Sequence, residues 1–124
     1  MNVYFPNAKR DPDFRDCSSV FPYRRAVPSA DVAKASIEAL LKGPTEEEKA
    51  SGAFTSIPEA AEVKSLSLKN GIATVDFASG VTAIAGSCRV GSIRAQIEKT
   101  LLAIEGVRAV VLTVGGKAEE VLQP

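Results

Sequence analysis

Apolar and polar residues alternate along two neighbouring segments in the middle of the chain. Residues 63–69 have the sequence VKSLSLK and residues 72–77 the sequence IATVDF. Alternation with a period of two is typical of β-strands that bury one face. Asn70 and Gly71 lie between the segments, and this dipeptide favours a two-residue hairpin turn because both residues tolerate positive φ. The pattern therefore predicts an antiparallel hairpin.

The two-residue turn also predicts which side chains of the hairpin share a face. The expected cross-strand pairs are Leu68 with Ala73, Leu66 with Val75, and Lys64 with Phe77. The expected core side carries Leu66, Leu68, Ala73, Val75 and Phe77, and the solvent side carries Ser65, Ser67, Thr74 and Asp76. Because this register brings the apolar residues onto one face, the turn and the pattern support the same hairpin.

Two other segments carry apolar residues at helical spacing. The first has an apolar stripe of Ala30, Ala33, Ile37, Leu40 and Leu41 and a charged face of Lys34, Glu38 and Lys42. Ser29 is the predicted N-cap of this helix, and Gly43 followed by Pro44 predicts its end. The second helix is predicted to begin at Ser87 and to end near Gly106. Its apolar stripe is Val90, Ile93, Ile97, Leu101 and Ile104.

A short segment joins the first helix to the hairpin. Thr45 is a suitable N-cap for a second helical turn, and Glu48 three residues later completes the capping-box pattern. Gly52 is predicted to end that turn. Residues 53–62 are predicted to be a loop in which Ile57 is a buried anchor, and Pro58 favours an extended conformation for Ile57.

The remaining apolar runs predict strands near both ends of the chain. Val3–Phe5 forms a short strand, a polar loop covers 8–17, and 107–114 is a strand rich in valine. The β-formers of a further segment are Val20, Phe21, Tyr23 and Val27. Pro22 limits any strand there to an edge or a bulge.

The order of these elements is strand, strand, helix, hairpin, helix, strand. This order predicts an α+β fold, a two-layer sandwich of a mostly antiparallel sheet and two helices. The length of 124 residues is that of one domain, so we expect a single domain over 1–124.

The composition excludes several kinds of chemistry. The chain has 15 basic and 15 acidic residues and no net charge, which argues against a nucleic-acid partner. It has no histidine, which excludes Ser-His-Asp and Cys-His catalysis. It has no apolar run of about 18 residues, so no membrane span is predicted. Because a strand already begins at Val3, we expect a leader or membrane anchor to precede this chain in the full-length protein.

Two cysteines, Cys17 and Cys88, are too few for a zinc site. They form one disulfide or remain two thiols, since spacing along the sequence does not define the Cα separation that a disulfide needs.

Two groups of carboxylates invite a chemical interpretation. Glu46–Glu48 could bind a cation, but consecutive helical residues point in different directions, and the helix dipole favours acidic residues in a first turn. We therefore favour the start of a helix. Asp76 could act as a base. It has no acid or amine partner nearby in the sequence, so a polar position on a strand is the favoured interpretation.

Basic residues supply the candidate contacts with a ligand or partner. Tyr23, Arg24 and Arg25 form a small basic cluster beside an aromatic ring, which could contact a glycan or a phosphate; a solvated strand edge is the alternative. Arg89 and Arg94 lie in the segment GSCRVGSIRAQ, which could bind an anion through free N–H groups or simply lead into a helix. We retain Tyr23, Arg24, Arg25 and Arg89 as candidate contacts, and expect no catalytic residue, cofactor or metal.

The same segments resemble the GerMN domain of bacterial sporulation and spore-germination proteins of the GerM type, which also occurs in envelope lipoproteins such as LpqB. The matching segments, in family order, are VYFPN, RRAVP, LLKGPTEEEKASG, TSIP, VKSLSLKNGIATVDFASG and IEKTLLAIEGVRAVVLTVGG. The most specific part is the helix end at Leu40–Pro44, followed by Glu47 or Glu48, Gly52 and Ser56–Pro58. The chain departs from the family pattern at Pro22 and in SGVTAIAGSCRVGS.

The resemblance implies a protein held outside the cytoplasm by a membrane anchor, in a Gram-positive-type envelope. It also implies a fold similar to the ring-building domains of secretion and sporulation assemblies, and it implies no catalytic set. We therefore expect a module that acts on other envelope or sporulation proteins, or by self-association. Binding of cell-wall glycan or peptidoglycan through Tyr23, Arg24, Arg25 and the 78–89 loop is the alternative. An enzyme acting on glycan is disfavoured, because such enzymes use paired carboxylates.

Overall fold

Eight helices and strands follow one another in the computed structural model, which describes residues 1–10, 19–26, 31–58, 61–78 and 87–114, with backbone alone at 87–90 and 114. The strands are β1 (Asn2–Phe5), β2 (Phe21–Arg24), β3 (Val63–Lys69), β4 (Ile72–Phe77) and β5 (Ala109–Val114). The helices are α1 (Val32–Lys42), α2 (Glu46–Ala50) and α3 (Ser87–Leu102). The predicted α+β fold is confirmed. Across these described ranges the strands form two sheets instead of one.

The larger sheet has the strand order β3-β4-β5. β3 and β4 are antiparallel, whereas β4 and β5 are parallel. Parallel neighbours need a crossover connection, and α3 lies between β4 and β5 in the sequence. The hairpin is therefore extended by a strand that a helix returns to the same sheet.

The smaller sheet pairs β1 with β2 in antiparallel register, with Tyr4 opposite Pro22. Pro22 lacks an N–H, and this pair is one that exchanges no hydrogen bonds, so the edge position predicted for Pro22 is confirmed. The N–H of Tyr4 points the other way and donates to Oγ1 of Thr100 in α3, at 3.1 Å. This bond joins β1 to the helix that crosses between β4 and β5.

The core lies where α1 and α3 meet the two sheets. Its largest fully buried apolar side chains are Phe5, Ile37, Leu40, Phe77, Ile93, Ile97, Leu101 and Leu112. Burial of each contributes about 1.5–3 kcal/mol relative to leaving it exposed. Both predicted helical stripes supply members of this set, so the interpretation of those stripes is confirmed. α3 contacts α1, β1 and β5, and thereby connects the two sheets.

The hairpin register is confirmed near the turn and shifts farther away. Leu68 pairs with Ala73 and Leu66 with Val75, as predicted. The predicted pair of Lys64 with Phe77 is wrong, because Val63 faces Phe77 and Lys64 is the extra residue of a β-bulge. The bulge places an apolar side chain opposite buried Phe77 in place of an ammonium group.

Leu68 shares the core-side face but is 49% exposed. Two structural facts account for this exposure. Within the described ranges β3 has a strand neighbour on one side only, and Leu68 lies next to the last pair before the turn.

The predicted boundaries of three elements need correction. The N-cap of α1 is Asp31, whose side chain accepts a hydrogen bond from the N–H of Lys34, and the Ser29 prediction is wrong. Asp caps a helix as well as Ser does, so composition alone does not choose between them. α3 ends at Leu102 instead of near Gly106, and β5 begins at Ala109 instead of 107. A turn occupies the residues between.

The segment from Gly43 to Ile57 follows the prediction closely. Gly43 has φ of +88°, a conformation that favours glycine. Thr45 and Glu48 form both hydrogen bonds of a capping box. Gly52 has φ of +105°. Ile57 is 5% exposed, which confirms the predicted anchor.

Candidate functional site

Arg25, the residue after β2, forms a two-pronged ion pair with Glu48 of α2. Its Nη1 and Nη2 donate to Oε2 and Oε1 of Glu48, both at 2.7 Å. Each side chain is 17% exposed. The planar guanidinium matches the carboxylate geometry, and such bidentate pairs are stronger than single ones. We call Arg25, Glu48 and the capping residue Thr45 the β2–α2 clasp.

The carboxylate of Glu48 serves two structural bonds at once. Besides the Arg25 guanidinium, its Oε1 accepts the N–H of Thr45 at 2.9 Å. The hydrogen bond from Arg25 lowers the pKa of Glu48 below its ordinary value, although partial burial acts in the opposite direction. The ionised carboxylate of Glu48 therefore holds the start of α2 to Arg25.

Tyr23 is also held by internal partners. Its hydroxyl accepts a hydrogen bond from Nδ2 of Asn7 at 2.8 Å, and its ring centroid lies 5.8 Å from that of Phe5. The guanidinium carbon of Arg25 lies 6.0 Å from the centre of the same Phe5 ring. The structure thus brings Tyr23 and Arg25 together around a buried phenylalanine, where both contribute to packing.

The other two candidate contacts, Arg24 and Arg89, are not part of the packing around Phe5 that the structure describes. Arg24 is exposed on the solvent side of β2. Arg10 is another exposed cation of this region, and its guanidinium carbon lies 5.0 Å from the centre of the Phe21 ring. The side chain of Arg89 and residues 79–86 lie outside the described residues, as do Cys17 and the Cys88 thiol.

The remaining charged candidates lie apart from one another. Glu46 is paired with Lys49 at 3.4 Å, and its side chain is 93% exposed. The prediction that Glu46–Glu48 start a helix is confirmed. Arg94 Nε contacts Glu98 Oε1 at 2.6 Å within α3. Among the residues that the structure describes, no three His, Cys, Asp or Glu side chains are grouped as metal ligands would be.

Asp76 lies on the solvent side of the larger sheet, as the hairpin pattern predicted. Thr113 of β5 donates from Oγ1 to Oδ1 of Asp76 at 2.6 Å. The two residues are direct neighbours in the parallel register. This bond links β4 to β5 on the outer surface.

A buried polar network in the core was missed by sequence reasoning. Gln96 of α3 accepts the N–H of Ser56 at its Oε1, 2.9 Å, and donates from Nε2 to Oγ1 of Thr55, 3.0 Å. Ser56 Oγ donates to Ser92 Oγ at 2.9 Å. Ser92 and Gln96 are spaced i,i+4 beside the apolar stripe of α3. That spacing was the available signal, and it could have identified a polar row facing the core.

A groove runs between α1 and the edge strand β3. It has a volume of about 570 Å³. Its lining consists of Asp31, Lys34, Ile37, Glu38, Leu41, Ala61, Glu62, Val63, Lys64, Ser65 and Leu66. Buried and half-buried apolar side chains line it, and charged side chains of both signs surround it. Its residues differ from the candidates taken from the sequence.

These features define a two-layer α+β module in which most of the polar side chains described above bond to neighbouring helices and strands of the same chain. Residues 2–120 match the family Germane, described as sporulation and spore germination, and the chain belongs to that family. The resemblance of the sequence to GerMN domains is therefore confirmed. No curated protein sequence matches the chain at a significant level.

Solved structures with the same fold include two from one sporulation protein and one from a protein described as a lipoprotein. The tandem GerMN domains of the sporulation protein GerM from Bacillus subtilis are 25% identical, with a TM-score of 0.70 over 96% of this chain. The first GerMN domain of the same protein is 15% identical, with a TM-score of 0.69, and the match covers 95% of this chain and 84% of that one. A Clostridium perfringens protein described as a lipoprotein is 15% identical, with a TM-score of 0.58 over 94% of this chain and 74% of its own.

This chain spans 39% of the tandem GerM structure. Over the described ranges, no helix combines the length and apolarity needed to cross a membrane.

Proposed function

We propose that this chain is a non-catalytic module of the bacterial cell envelope, held outside the cytoplasm, that acts by contact with other envelope or sporulation proteins. The Germane family match supports a role in sporulation or germination. The structural likeness to a Clostridium perfringens protein described as a lipoprotein supports the extracytoplasmic location.

The observation that carries the proposal is the internal use of the polar side chains that chemistry would need. Arg25 and Glu48 neutralise each other at 2.7 Å, Tyr23 accepts from Asn7 at 2.8 Å, and Asp76 accepts from Thr113 at 2.6 Å. A catalytic base or nucleophile has to be within hydrogen-bond reach of a substrate. These groups are instead directed at neighbouring elements, as expected in a rigid scaffold that presents its surface to a partner.

Photo-crosslinking in the source bacterium tests the proposal. A photoreactive residue would replace Glu46 of α2, Lys64 of β3 or Val111 of β5 in the full-length protein, one at a time. These positions are exposed and lie on three different elements. We expect at least one position to give an adduct with an envelope or sporulation protein identified by mass spectrometry.

The same strains distinguish the glycan alternative. Absence of protein adducts at all three positions, together with saturable co-sedimentation with purified cell wall, would favour glycan binding. Arg24→Glu should abolish that co-sedimentation if the basic cluster is responsible. Recovery of the full-length protein in the cytoplasmic fraction would overturn the proposed location.

A further inference from the structure

We propose that the groove between α1 and β3 binds an extended segment of a partner protein, which adds a strand to the edge of β3 that pairs with no strand among the described residues. This inference rests on the proposed role in protein contact and names the surface that performs it.

The first observation is an open row of main-chain groups on β3. In a two-residue hairpin, the pairs that exchange both hydrogen bonds begin at Lys69 with Ile72 and recur at every second residue. Leu66 and Leu68 occupy the intervening positions, so their N–H and C=O groups point away from β4. In the described part of the chain, no hydrogen bond outside the strand pairing uses these groups. Such a row recognises another polypeptide strand, because only an extended backbone presents matching groups at this spacing.

The second observation is the surface beside that edge. The groove has a volume of about 570 Å³. Leu41 of α1 and Val63 and Leu66 of β3 lie along it as half-buried apolar side chains. Alternate side chains of an added strand point to the same side. A segment paired with β3 would therefore place every second residue against these apolar groups and the others in solvent.

The third observation concerns charge and length. Around the groove, the acidic residues Asp31, Glu38 and Glu62 nearly balance the basic residues Lys34 and Lys64. We therefore expect a segment with apolar residues at alternate positions and no strong net charge, bound with little dependence on salt. The bulge at Lys64 interrupts the edge, which leaves a short ladder. A short ladder suits a peptide better than a stable interface between two folded copies, which buries roughly 1,200–2,000 Å².

A random heptapeptide display library, selected on the purified chain, is the first test. We expect enrichment of sequences with apolar residues at alternate positions. One enriched peptide would then be synthesised with a fluorescent label, and its Kd measured by polarisation at low and high salt. Failure to enrich any such pattern would overturn the inference.

Backbone N-methylation tests the binding mode without altering the protein. Two versions of the peptide would carry N-methyl groups on odd or on even residues. Only one set can donate to β3, so we expect one version to lose affinity by about fivefold or more per methylated amide and the other to retain it. Equal losses, or no loss in either version, would contradict strand addition.

Variants of Leu68 provide the matched control on the protein side. Leu68→Pro removes an outward N–H without removing a bond to β4, whereas Leu68→Ala removes only side-chain contacts. We expect Leu68→Pro to weaken peptide binding by about fivefold or more and Leu68→Ala to weaken it less. If Leu68→Pro does not fold, amide exchange of the unmodified chain replaces it. The outward amides of Leu66 and Leu68 should then exchange more slowly with peptide bound, and the inward amide of Ser67 should not change.

These outcomes separate the groove from the proposed function. Suppose that crosslinks to envelope proteins form, but that neither Leu68→Pro nor amide exchange at Leu66 and Leu68 shows peptide binding at β3. That result would overturn the inference about the groove and leave the proposed function intact. If neither crosslinks nor peptide binding were found, the proposed function would be overturned as well. A concentration-dependent dimer that Leu68→Pro abolishes would assign the edge to a second copy and overturn the peptide inference.

Discussion

Arg25 and Glu48 are 23 residues apart in the sequence and are joined by two N–O contacts of 2.7 Å. The pair holds the five-residue helix α2 against the end of β2. So short a helix is not stable by itself, because nucleation is unfavourable. Its position depends on the cap and on this contact.

Replacing Glu48 should therefore destabilise the protein. Glu48→Ala removes half of the capping box and leaves the guanidinium of Arg25 without its partner, at a cost of about 2–3 kcal/mol in the free energy of unfolding. Urea denaturation measures this change in the free energy of unfolding. Glu46→Ala is the matched control, since that side chain is 93% exposed and should change stability by less than about 0.5 kcal/mol. Equal effects of the two substitutions would refute the role of the clasp.

The clasp also predicts a dependence of stability on pH. Arg25 lowers the pKa of Glu48 below the ordinary value of 4.5, so the folded state binds the proton less readily than the unfolded state. The contribution of Glu48 is complete above the unfolded pKa and is lost as pH falls through the folded pKa. Denaturation of the wild type and of Glu48→Gln from pH 7 to pH 3 tests this. The difference between the two should shrink on acidification, and a constant difference would contradict it.

Two glycines with positive φ provide a matched steric test. Gly106 has φ of +90°, and a Cβ added there would meet no atom within 4 Å, whereas a Cβ added at Gly52 would lie 2.6 Å from Oδ1 of Asn7. Gly106→Ala should cost about 1–2 kcal/mol, from backbone conformation alone. Gly52→Ala should cost more, because Asn7 must also move and its Oδ1 accepts the N–H of Lys9. Thermal unfolding of both variants would show the order, and the reverse order would refute this account.

The buried network around Gln96 predicts a cost for an apolar replacement of similar size. Gln96→Leu removes the acceptor of the Ser56 N–H and the donor to Thr55, and should destabilise the fold by about 1–3 kcal/mol. Lys99→Ala, an exposed position on the same helix, should have little effect. A neutral or stabilising Gln96→Leu would show that this network is not needed to hold the 55–58 segment on α3.

The parts of the fold that sequence predicted are those specified by neighbouring residues. Asn70-Gly71 and the alternation beside it are enough for the hairpin turn, and Thr45 with Glu48 is enough for the capping box. The bulge at Lys64 escaped prediction because it depends on which side chain meets Phe77 across the sheet. The parallel pairing of β5 with β4 likewise depends on where α3 packs.

The candidate site shows the same division. Tyr23 and Arg25 were singled out as a basic cluster with an aromatic ring, but the sequence does not reveal that Glu48 and Asn7 lie beside them. Those partners come from other elements and meet only after folding. The groove was missed for a related reason, since Leu41 and Val63 belong to separate elements and form a common surface only when α1 lies along β3.

The bulge at Lys64 has a consequence for insertions and deletions. Because Lys64 is the extra residue in β3, a chain without it could pair regularly from Val63 to the turn and keep the apolar face inward. Relatives that lack the bulge are expected to have one residue fewer between Ile57-Pro58 and Asn70-Gly71. A relative that is one residue shorter in this segment would therefore have a regular β3 edge without the bulge, and the rest of the hairpin would be unchanged.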